Sequence, residues 1–307
     1  MVATRTEELH RHAAGLDTEP PEAILNRLAA AQIEAASVVL SAVKPIAAAA
    51  FRAAATLRAG GRLAYAAAGS SGLMALADAL ELPGTFGIAR DRIELLLAEG
   101  ASNLLDLPGA PEDDEGQAAR DVAKAGLGER DCLVALSASG STPYAVAALK
   151  AAKAAGAATI AIANNDGAPL LQLADIAILL PTPPEVIAGS TRMGAATAQK
   201  IALNMMSTLM AVHLGHVLDG YMVNLRADNR KLKQRAARMV AAISGHGQEE
   251  AAACLDAAGG SVKKAVLIAA GADDLAAATR LLDRAGQNLR RALAELDGSA
   301  RSRRRGT

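Results

Sequence analysis

The fold of this 307-residue chain is indicated most clearly by residues 62–72, Arg-Leu-Ala-Tyr-Ala-Ala-Ala-Gly-Ser-Ser-Gly, where an apolar run ends in a hydroxyl-and-glycine turn. The arrangement returns where the run Cys132–Leu136 is followed by Ser-Ala-Ser-Gly-Ser-Thr at 137–142. Each stretch is typical of a strand that leads through a turn into a helix. Because the N–H groups and hydroxyls of such turns point into one small volume, a phosphate can be held there without a lysine. The pair predicts a site for a phosphorylated small molecule in an α/β domain.

Short apolar runs alternate with helical stretches through the middle of the chain. The apolar runs are Arg62–Ala68, Ile93–Ala98, Cys132–Leu136, Ala158–Ala163 and Ile176–Leu180. The helical stretches between and after them are Leu73–Leu80, Gln117–Ala125, Tyr144–Ala155, Ala168–Ala174 and Thr191–Val217. Near-continuous apolar strands that alternate with helices predict an α/β fold with a doubly wound, five-stranded parallel sheet.

The flanking segments predict further parts. Two amphipathic helices, Ala23–Leu40 and Pro45–Arg58, precede the first strand, so residues 1–60 are expected to pack on the sheet domain. The sheet domain itself is expected over 61–239. A helix, a glycine and a basic helix occur twice after residue 240, which predicts a small helical domain over 240–300. The arginine-rich tail 301–307 is expected to be disordered.

The composition of the chain limits which partners it is expected to bind and where in the cell it is expected to act. The chain carries 32 basic and 32 acidic residues and only 2% aromatic residues, so it lacks the charge of a nucleic-acid binder. Cys132 and Cys254 are expected to be free thiols. The N-terminus has no apolar signal-peptide core, and no uncharged run reaches the roughly 18 residues of a membrane span. We therefore expect a cytoplasmic protein that binds neither nucleic acid nor membrane.

Several familiar catalytic motifs are absent from the two turns. Neither contains Gly-x-Ser-x-Gly, a Walker A sequence or Gly-x-Gly-x-x-Gly, which disfavours a serine hydrolase, a P-loop enzyme and a dinucleotide site. His213 and His216 share a predicted helix face but have no further ligand at metal spacing, so no metal site is expected.

Two carboxylates are candidates for proton transfer. Glu81 follows the first turn by one helix, and Glu112 begins the acidic run 112–115. Each also has a purely structural interpretation, Glu81 as a solvated helix end and the acidic run as charge favoured at a helix N-terminus. As a pair they can serve as base and acid if their environments separate their pKa values.

Taken together, the motifs resemble those of N-acetylmuramic acid 6-phosphate etherases, collinearly from about Thr6 to Leu293. The matching segments are Gly69–Gly72, Asp78–Gly87, Ser137–Tyr144, Pro184–Arg192, Ala198–Lys200, Leu203–Thr208, Gly215–Val217 and Asn229–Leu232. The resemblance implies a sugar-isomerase (SIS) fold, a homodimer, a C-terminal helical domain and a role in amino-sugar metabolism and peptidoglycan recycling.

The resemblance also implies an activity and its residues. The family's two catalytic glutamates fall on Glu81 and on Glu112 of the segment Gly109–Asp113. The reaction would release D-lactate and N-acetylglucosamine 6-phosphate, with no metal or organic cofactor. The residues implied to bind the substrate or its phosphate are Ser70, Ser71, Ser137, Ser139, Ser141, Thr142, Glu185, Ser190, Thr191 and Lys200.

This chain departs from the family pattern at three positions that usually hold a cation, which here are Leu73, Ser141 and Gly194. An etherase substrate carries a phosphate and a carboxylate, and each anion favours a positive partner. Arg192 and Lys200 remain. Two further hypotheses therefore stay open, an aldose–ketose isomerase that shares the deprotonation at C2, and a non-catalytic sugar-phosphate sensor.

Overall fold

The computed structural model describes residues 5–98, 100, 109–225 and 230–305, with side chains described through residue 298. Contacts within the chain define two units. The first extends to Ala79 and resumes over Asp91–Leu209, and the second comprises Leu80–Arg90 and the chain from Met210 on.

The first unit contains a sheet of five parallel strands. The strands are β1 (Leu63–Ala67), β2 (Ile93–Leu97), β3 (Cys132–Ser137), β4 (Ala158–Ala163) and β5 (Ile176–Leu179). Their order is β2-β1-β3-β4-β5, and the three inner strands are buried throughout, as their unbroken apolar sequences predict.

Helices cover both faces of this sheet. They are α1 (Pro21–Ser37), α2 (Val43–Arg58), α3 (Gly69–Phe86), α4 (Glu115–Ala125), α5 (Pro143–Ala154), α6 (Pro169–Leu173) and α7 (Gly194–His213), of which α3 and α7 continue into the second unit. Ala66 and Leu133 pack in a core cluster with residues of α4 and α5. Tyr65 points to the other face, where its hydroxyl bonds to Asp78 of α3. The predicted doubly wound sheet is confirmed.

The sheet order places the two hydroxyl-and-glycine turns side by side. β1 pairs with β3 in register from Leu63–Cys132 to Ala66–Ala135, and each turn follows the carboxyl end of its strand. The connections from β1 and β3 lead to opposite edges of the sheet, which makes this the topological switch point where open α/β sheets bind ligands.

Two helices depart furthest from their sequence predictions. α3 was expected over 73–80 but begins at Gly69, since the Gly72 N–H already donates to the Ala68 carbonyl at 2.9 Å. α7 was expected over 191–217 but starts only at Gly194, because the Thr191 N–H bonds to the Gly189 carbonyl in a turn at 2.9 Å.

The second unit is helical around its own core. After the short hairpin β6 (Val217–Leu218) and β7 (Tyr221–Met222) come α8 (Arg230–Ser244), α9 (Gln248–Ala257), α10 (Val262–Ala269), α11 (Leu275–Arg284) and α12 (Leu289–Arg305). Met239 and Val240 of α8 belong to the same buried cluster as Leu255, so this unit takes in residues before the expected boundary at 240. α12 continues to Arg305, into the tail that was expected to be disordered, and residues 306–307 lie outside the described residues.

One stretch of the described chain, Pro21–Arg58, is long and apolar enough to cross a membrane by length and composition alone. It consists of α1, the 3-10 helix Val38–Ala42 and α2. Ile46, Ala49 and Ala53 of α2 are buried, and α2 packs against strands of the sheet. Helices that pack on a protein core commonly pass such a composition test, so it is weak evidence for a membrane span.

Candidate active site

The turn after β3 brings four hydroxyl groups together. Ser137 Oγ lies 2.8 Å from Thr142 Oγ1 and 3.2 Å from Ser139 Oγ, and Ser141 Oγ donates to Ser139 Oγ at 3.0 Å. Thr142 is the N-cap residue of α5, and its side chain makes no capping hydrogen bond to the backbone of that helix. A hydroxyl cluster at the positive end of a 12-residue helix is well suited to an oxyanion.

Gly140 gives this turn its sharp bend. Its φ is +69°, and a β-carbon there would lie 2.4 Å from Ala168 Cβ and 2.9 Å from Ala163 Cβ. Its N–H donates to Ser137 Oγ at 3.0 Å. Only glycine permits both the left-handed backbone and this close packing, so the turn is held in one shape.

The turn after β1 forms the first turn of α3, in which Ser70 is half-buried and Ser71 is buried. Gly69 has a φ of +51°, and a β-carbon on it would lie 2.7 Å from Glu112 Oε1. Glu112 comes from the 3-10 helix Ala110–Asp113 and is half-buried. The structure therefore places the Glu112 carboxylate at the N-terminus of α3, where the helix dipole favours negative charge.

Two other residues of the acidic run 112–115, Asp114 and Glu115, lie at a helix N-terminus, as the structural interpretation predicts. Asp114 is the N-cap of α4 and accepts a hydrogen bond from the Gln117 N–H at 2.7 Å, and Glu115 lies in the first turn of that helix. The local residue pattern left Glu112 with the same capping interpretation as its neighbours, whereas its approach to Gly69 distinguishes it from them.

Glu81 is an exposed residue within α3, with five more helical residues after it. Three residues earlier, the buried Asp78 carboxylate accepts hydrogen bonds from the Tyr65 hydroxyl and the Ser207 hydroxyl, both at 2.8 Å, and from Asn204 Nδ2 at 3.1 Å. Burial, then the charge of Asp78, raises the pKa of Tyr65 well above its usual range. The phenol therefore stays a hydrogen-bond donor that ties α3 to β1.

The carboxyl end of α3 is capped within the second unit. Gly87 has a φ of +65°, and its N–H bonds to the Pro83 carbonyl, as in a helix C-cap. Asn224 Nδ2 donates to the Phe86 carbonyl at 2.9 Å and lies 3.4 Å from His216 Nδ1. The last carbonyl of the helix that carries Glu81 is thus satisfied by a side chain.

Two bases with lowered pKa values lie in this part of the second unit, the half-buried His216 and the buried Lys263. Burial and the nearby charge of Lys263 lower the pKa of His216 to about 4, although a hydrogen bond with the Phe86 backbone opposes the shift. Burial also lowers the pKa of Lys263 to about 8, and its ammonium donates to the Gln287 carbonyl at 2.9 Å. His216 is therefore neutral at physiological pH.

The third predicted segment leads into α7. Both oxygens of the buried Glu185 carboxylate accept N–H groups of the first turn of α7, from Gly194 at 3.0 Å and from Ala195 at 2.8 Å. Glu185 therefore occupies the place that an anion would take at this helix end. Ser190 and Thr191 lie half-buried in the preceding turns, and Lys200 is exposed on α7.

A further polar residue at the carboxyl edge of the sheet was missed by sequence reasoning. Asn165 follows β4 and donates through Nδ2 to the carbonyls of Ala138 and Ser139, at 3.2 and 3.3 Å. Polar residues directly after an apolar strand were the signal that identified the other two turns, and the same signal marks Asn164 and Asn165.

Across the described part of the chain, no group of three or more His, Cys, Asp or Glu side chains is arranged to hold a metal ion.

Comparisons with known proteins agree with this architecture. Residues 109–214 match the model of the SIS domain. The chain is 43% identical over 292 residues to the N-acetylmuramic acid 6-phosphate etherase of Deinococcus radiodurans, covering 95% of each chain. It is 46% identical over 211 residues to that of Symbiobacterium thermophilum, covering 69% of this chain and 70% of the relative.

Among solved structures, a putative phosphosugar isomerase from Bacteroides fragilis superposes with a TM-score of 0.50 at 21% identity, over 67% of this chain and 96% of the other. At that identity the likeness concerns the fold alone. The fold and the matched domain define a SIS-domain protein. The sequence relationships are closer than that, and the chain belongs to the N-acetylmuramic acid 6-phosphate etherase family.

Proposed function

We propose that this protein is a lyase that cleaves the D-lactyl ether of N-acetylmuramic acid 6-phosphate. The observation that carries the proposal is the position of the Glu112 carboxylate at the first turn of α3. This helix follows β1, and the neighbouring strand β3 is followed by the turn that contains the four hydroxyl groups. Family membership over 95% of the chain supports the same reaction.

The chemistry needs a base and an acid. In the open-chain sugar the aldehyde acidifies the hydrogen at C2, and a carboxylate removes it. The electron pair forms the C2–C3 double bond as the C3–oxygen bond breaks, and a carboxylic acid protonates the departing lactate oxygen. Water then adds its oxygen to C3 and a proton to C2, which gives N-acetylglucosamine 6-phosphate and D-lactate.

The two glutamates divide these roles. We assign C2 deprotonation to Glu112, because the N-terminus of α3 stabilises the charged form that a base requires. Glu81 then protonates the leaving lactate. Ser70, Ser71, Ser137, Ser139, Ser141 and Thr142 bind the phosphate, while Ser190, Thr191 and Lys200 contact the rest of the substrate.

Glu185 has a positioning role in this proposal. Its oxygens are both bonded to the first turn of α7. It therefore orders the segment that carries Ser190 and Thr191.

Isotope exchange tests these assignments. Glu81→Gln should release no lactate from N-acetylmuramic acid 6-phosphate but still exchange the C2 hydrogen with solvent deuterium. Glu112→Gln should lose both reactions. Full lactate release by Glu81→Gln contradicts the assignment, formation of ketose phosphate without lactate indicates an isomerase, and ligand binding without turnover indicates a sensor.

The proposed enzyme is a cytoplasmic homodimer. Exposed large apolar side chains are concentrated on α1, the following 3-10 helix and α2, where Leu25, Ile33, Leu40, Val43 and Phe51 are between 46% and 74% exposed. A second copy of the chain would cover this surface. The free thiols Cys132 and Cys254 suit a reducing compartment.

Solution mass tests the dimer. Phe51→Glu should halve the mass measured by light scattering, whereas Leu275→Glu, at an exposed apolar residue of the second unit, should leave it unchanged. A monomeric wild type, or one that binds phospholipid vesicles through this surface, contradicts the proposal.

A further inference from the structure

The first described residues of the chain are hydrogen-bonded to the turn after β3 through one side chain. Thr6, in the 3-10 helix Arg5–Glu7, is only 3% exposed. Its backbone N–H donates to Asn165 Oδ1 at 3.2 Å, and its hydroxyl oxygen accepts from Asn165 Nδ2 at 3.0 Å. Both polar ends of the Asn165 amide are therefore oriented by Thr6.

The same Asn165 amide nitrogen holds the backbone of the turn. It donates to the carbonyls of Ala138 and Ser139, and Asn165 itself is 5% exposed. Because a trans peptide group is planar, a fixed carbonyl directs the next N–H to the opposite side. The N–H groups of Ser139 and Gly140 are thereby aimed away from Asn165, and that of Gly140 reaches Ser137 Oγ in the hydroxyl cluster.

The N-terminal segment also reaches the loop that precedes α7. A β-carbon on Gly189, whose φ is +72°, would lie 3.2 Å from Glu7 Oε2. Residues 6 and 7 therefore pack against two of the segments assigned to substrate binding.

We propose that Thr6 and Asn165 are positioning residues for the phosphate-binding turn, so that the N-terminal segment is a working part of the substrate site. This inference rests on the proposed function, because it takes residues 137–142 as the phosphate site. Thr6 and Asn165 act through the backbone of Ala138 and Ser139 and need not touch the ligand.

Phosphate affinity tests the inference independently of turnover. Inorganic phosphate is titrated calorimetrically into wild type, Asn165→Ala and Asn164→Ala. Asn164 is a matched control, because its buried side chain bonds to the Leu180 carbonyl, Thr182 and Gln199 but to no residue of the turn. Asn165→Ala should raise the Kd for phosphate about tenfold, and Asn164→Ala should leave it near the wild-type value.

Thr6 provides a milder pair of variants if Asn165→Ala fails to fold. Thr6→Val removes the hydroxyl that accepts from Asn165 and should weaken phosphate binding, whereas Thr6→Ser keeps it and should restore wild-type affinity. With sugar phosphate as substrate, Thr6→Val and Asn165→Ala should raise KM while kcat changes little.

The outcomes separate this inference from the proposed function. Equal phosphate affinity in wild type, Asn165→Ala and Thr6→Val overturns the inference, as does a wild type that binds no phosphate. A wild type that binds phosphate but releases no lactate contradicts the proposed function and leaves this inference standing. The phosphate affinities of the wild type, Asn165→Ala and Thr6→Val then still decide whether Thr6 and Asn165 are positioning residues.

Discussion

The carboxylate of Glu112 lies against Gly69, so that a β-carbon on Gly69 would come within 2.7 Å of Glu112 Oε1. The two residues are far apart in sequence, and they meet because Gly69 follows β1 while Glu112 lies in the connection from β2 to β3. This contact separates Glu112 from the capping carboxylates beside it. A β-carbon on Gly69 would therefore displace the Glu112 carboxylate from this position.

We expect Gly69→Ala to reduce lactate release about tenfold to a hundredfold, because the new methyl group displaces the Glu112 carboxylate. Gly126→Ala is the matched control. Gly126 has a similar φ of +60°, but a β-carbon on it would meet no atom within 4 Å, so this variant suffers the backbone strain without the clash. Steady-state kinetics check this, and equal loss of kcat in both variants would refute the contact's role.

Gly87→Ala should destabilise the protein by about 3 kcal/mol, because a β-carbon there would lie 2.2 Å from the Asn224 carbonyl oxygen and φ is positive. Gly245→Ala, with a φ of +77° and open space around it, should cost about 1 kcal/mol. Urea denaturation measures both free energies of unfolding. Similar values for the two variants would show that the cap of α3 tolerates a side chain.

Stability should fall as pH decreases from about 6.5 to about 4, because His216 titrates at 6.5 when unfolded and at about 4 when folded. In that interval the unfolded chain binds the proton and the folded chain does not, so lowering the pH favours unfolding. His216→Gln should remove this contribution from the pH dependence of urea denaturation. If His216→Gln and the wild type show the same pH dependence of the free energy of unfolding, the prediction is wrong.

Lys263→Met should raise the pKa of His216, because it removes a nearby positive charge, although burial of the ring remains. Titration of the His216 ring by NMR measures the change. Lys264→Met, at the next position of α10, serves as the control. A pKa that stays near 4 in Lys263→Met would assign the whole shift to burial.

Ser141→Arg should lower the Kd for inorganic phosphate, since a guanidinium would join the hydroxyl cluster at an exposed position. Ser141→Gln supplies a long uncharged side chain as the control. The gain should shrink as ionic strength rises, because salt screens exposed charges. Equal affinities in both variants would place the bound anion away from residue 141.

The strands and the two turns were predictable because they depend on local patterns. An unbroken apolar run such as Cys132–Leu136 has few alternatives to a buried strand, and the hydroxyls and glycine that follow it favour a turn. The limits of α3 and α7 were not predictable, since they depend on individual hydrogen bonds such as that from the Gly72 N–H to the Ala68 carbonyl. Glu185, expected to bind substrate, has both oxygens bonded to the first turn of α7.

The sequence by itself determined the α/β class and the two hydroxyl-and-glycine turns, because periodicity and turn chemistry act over a few neighbouring residues. Its resemblance to a known family singled out the two candidate glutamates. Only the tertiary structure decided which polar groups share a volume. The order of the strands places the turns after β1 and β3 side by side. The connection from β2 to β3 brings Glu112 to Gly69, and the N-terminal segment packs so that Thr6 is hydrogen-bonded to Asn165. These contacts join residues 43 to 159 positions apart, and no local pattern encodes a distance of that kind.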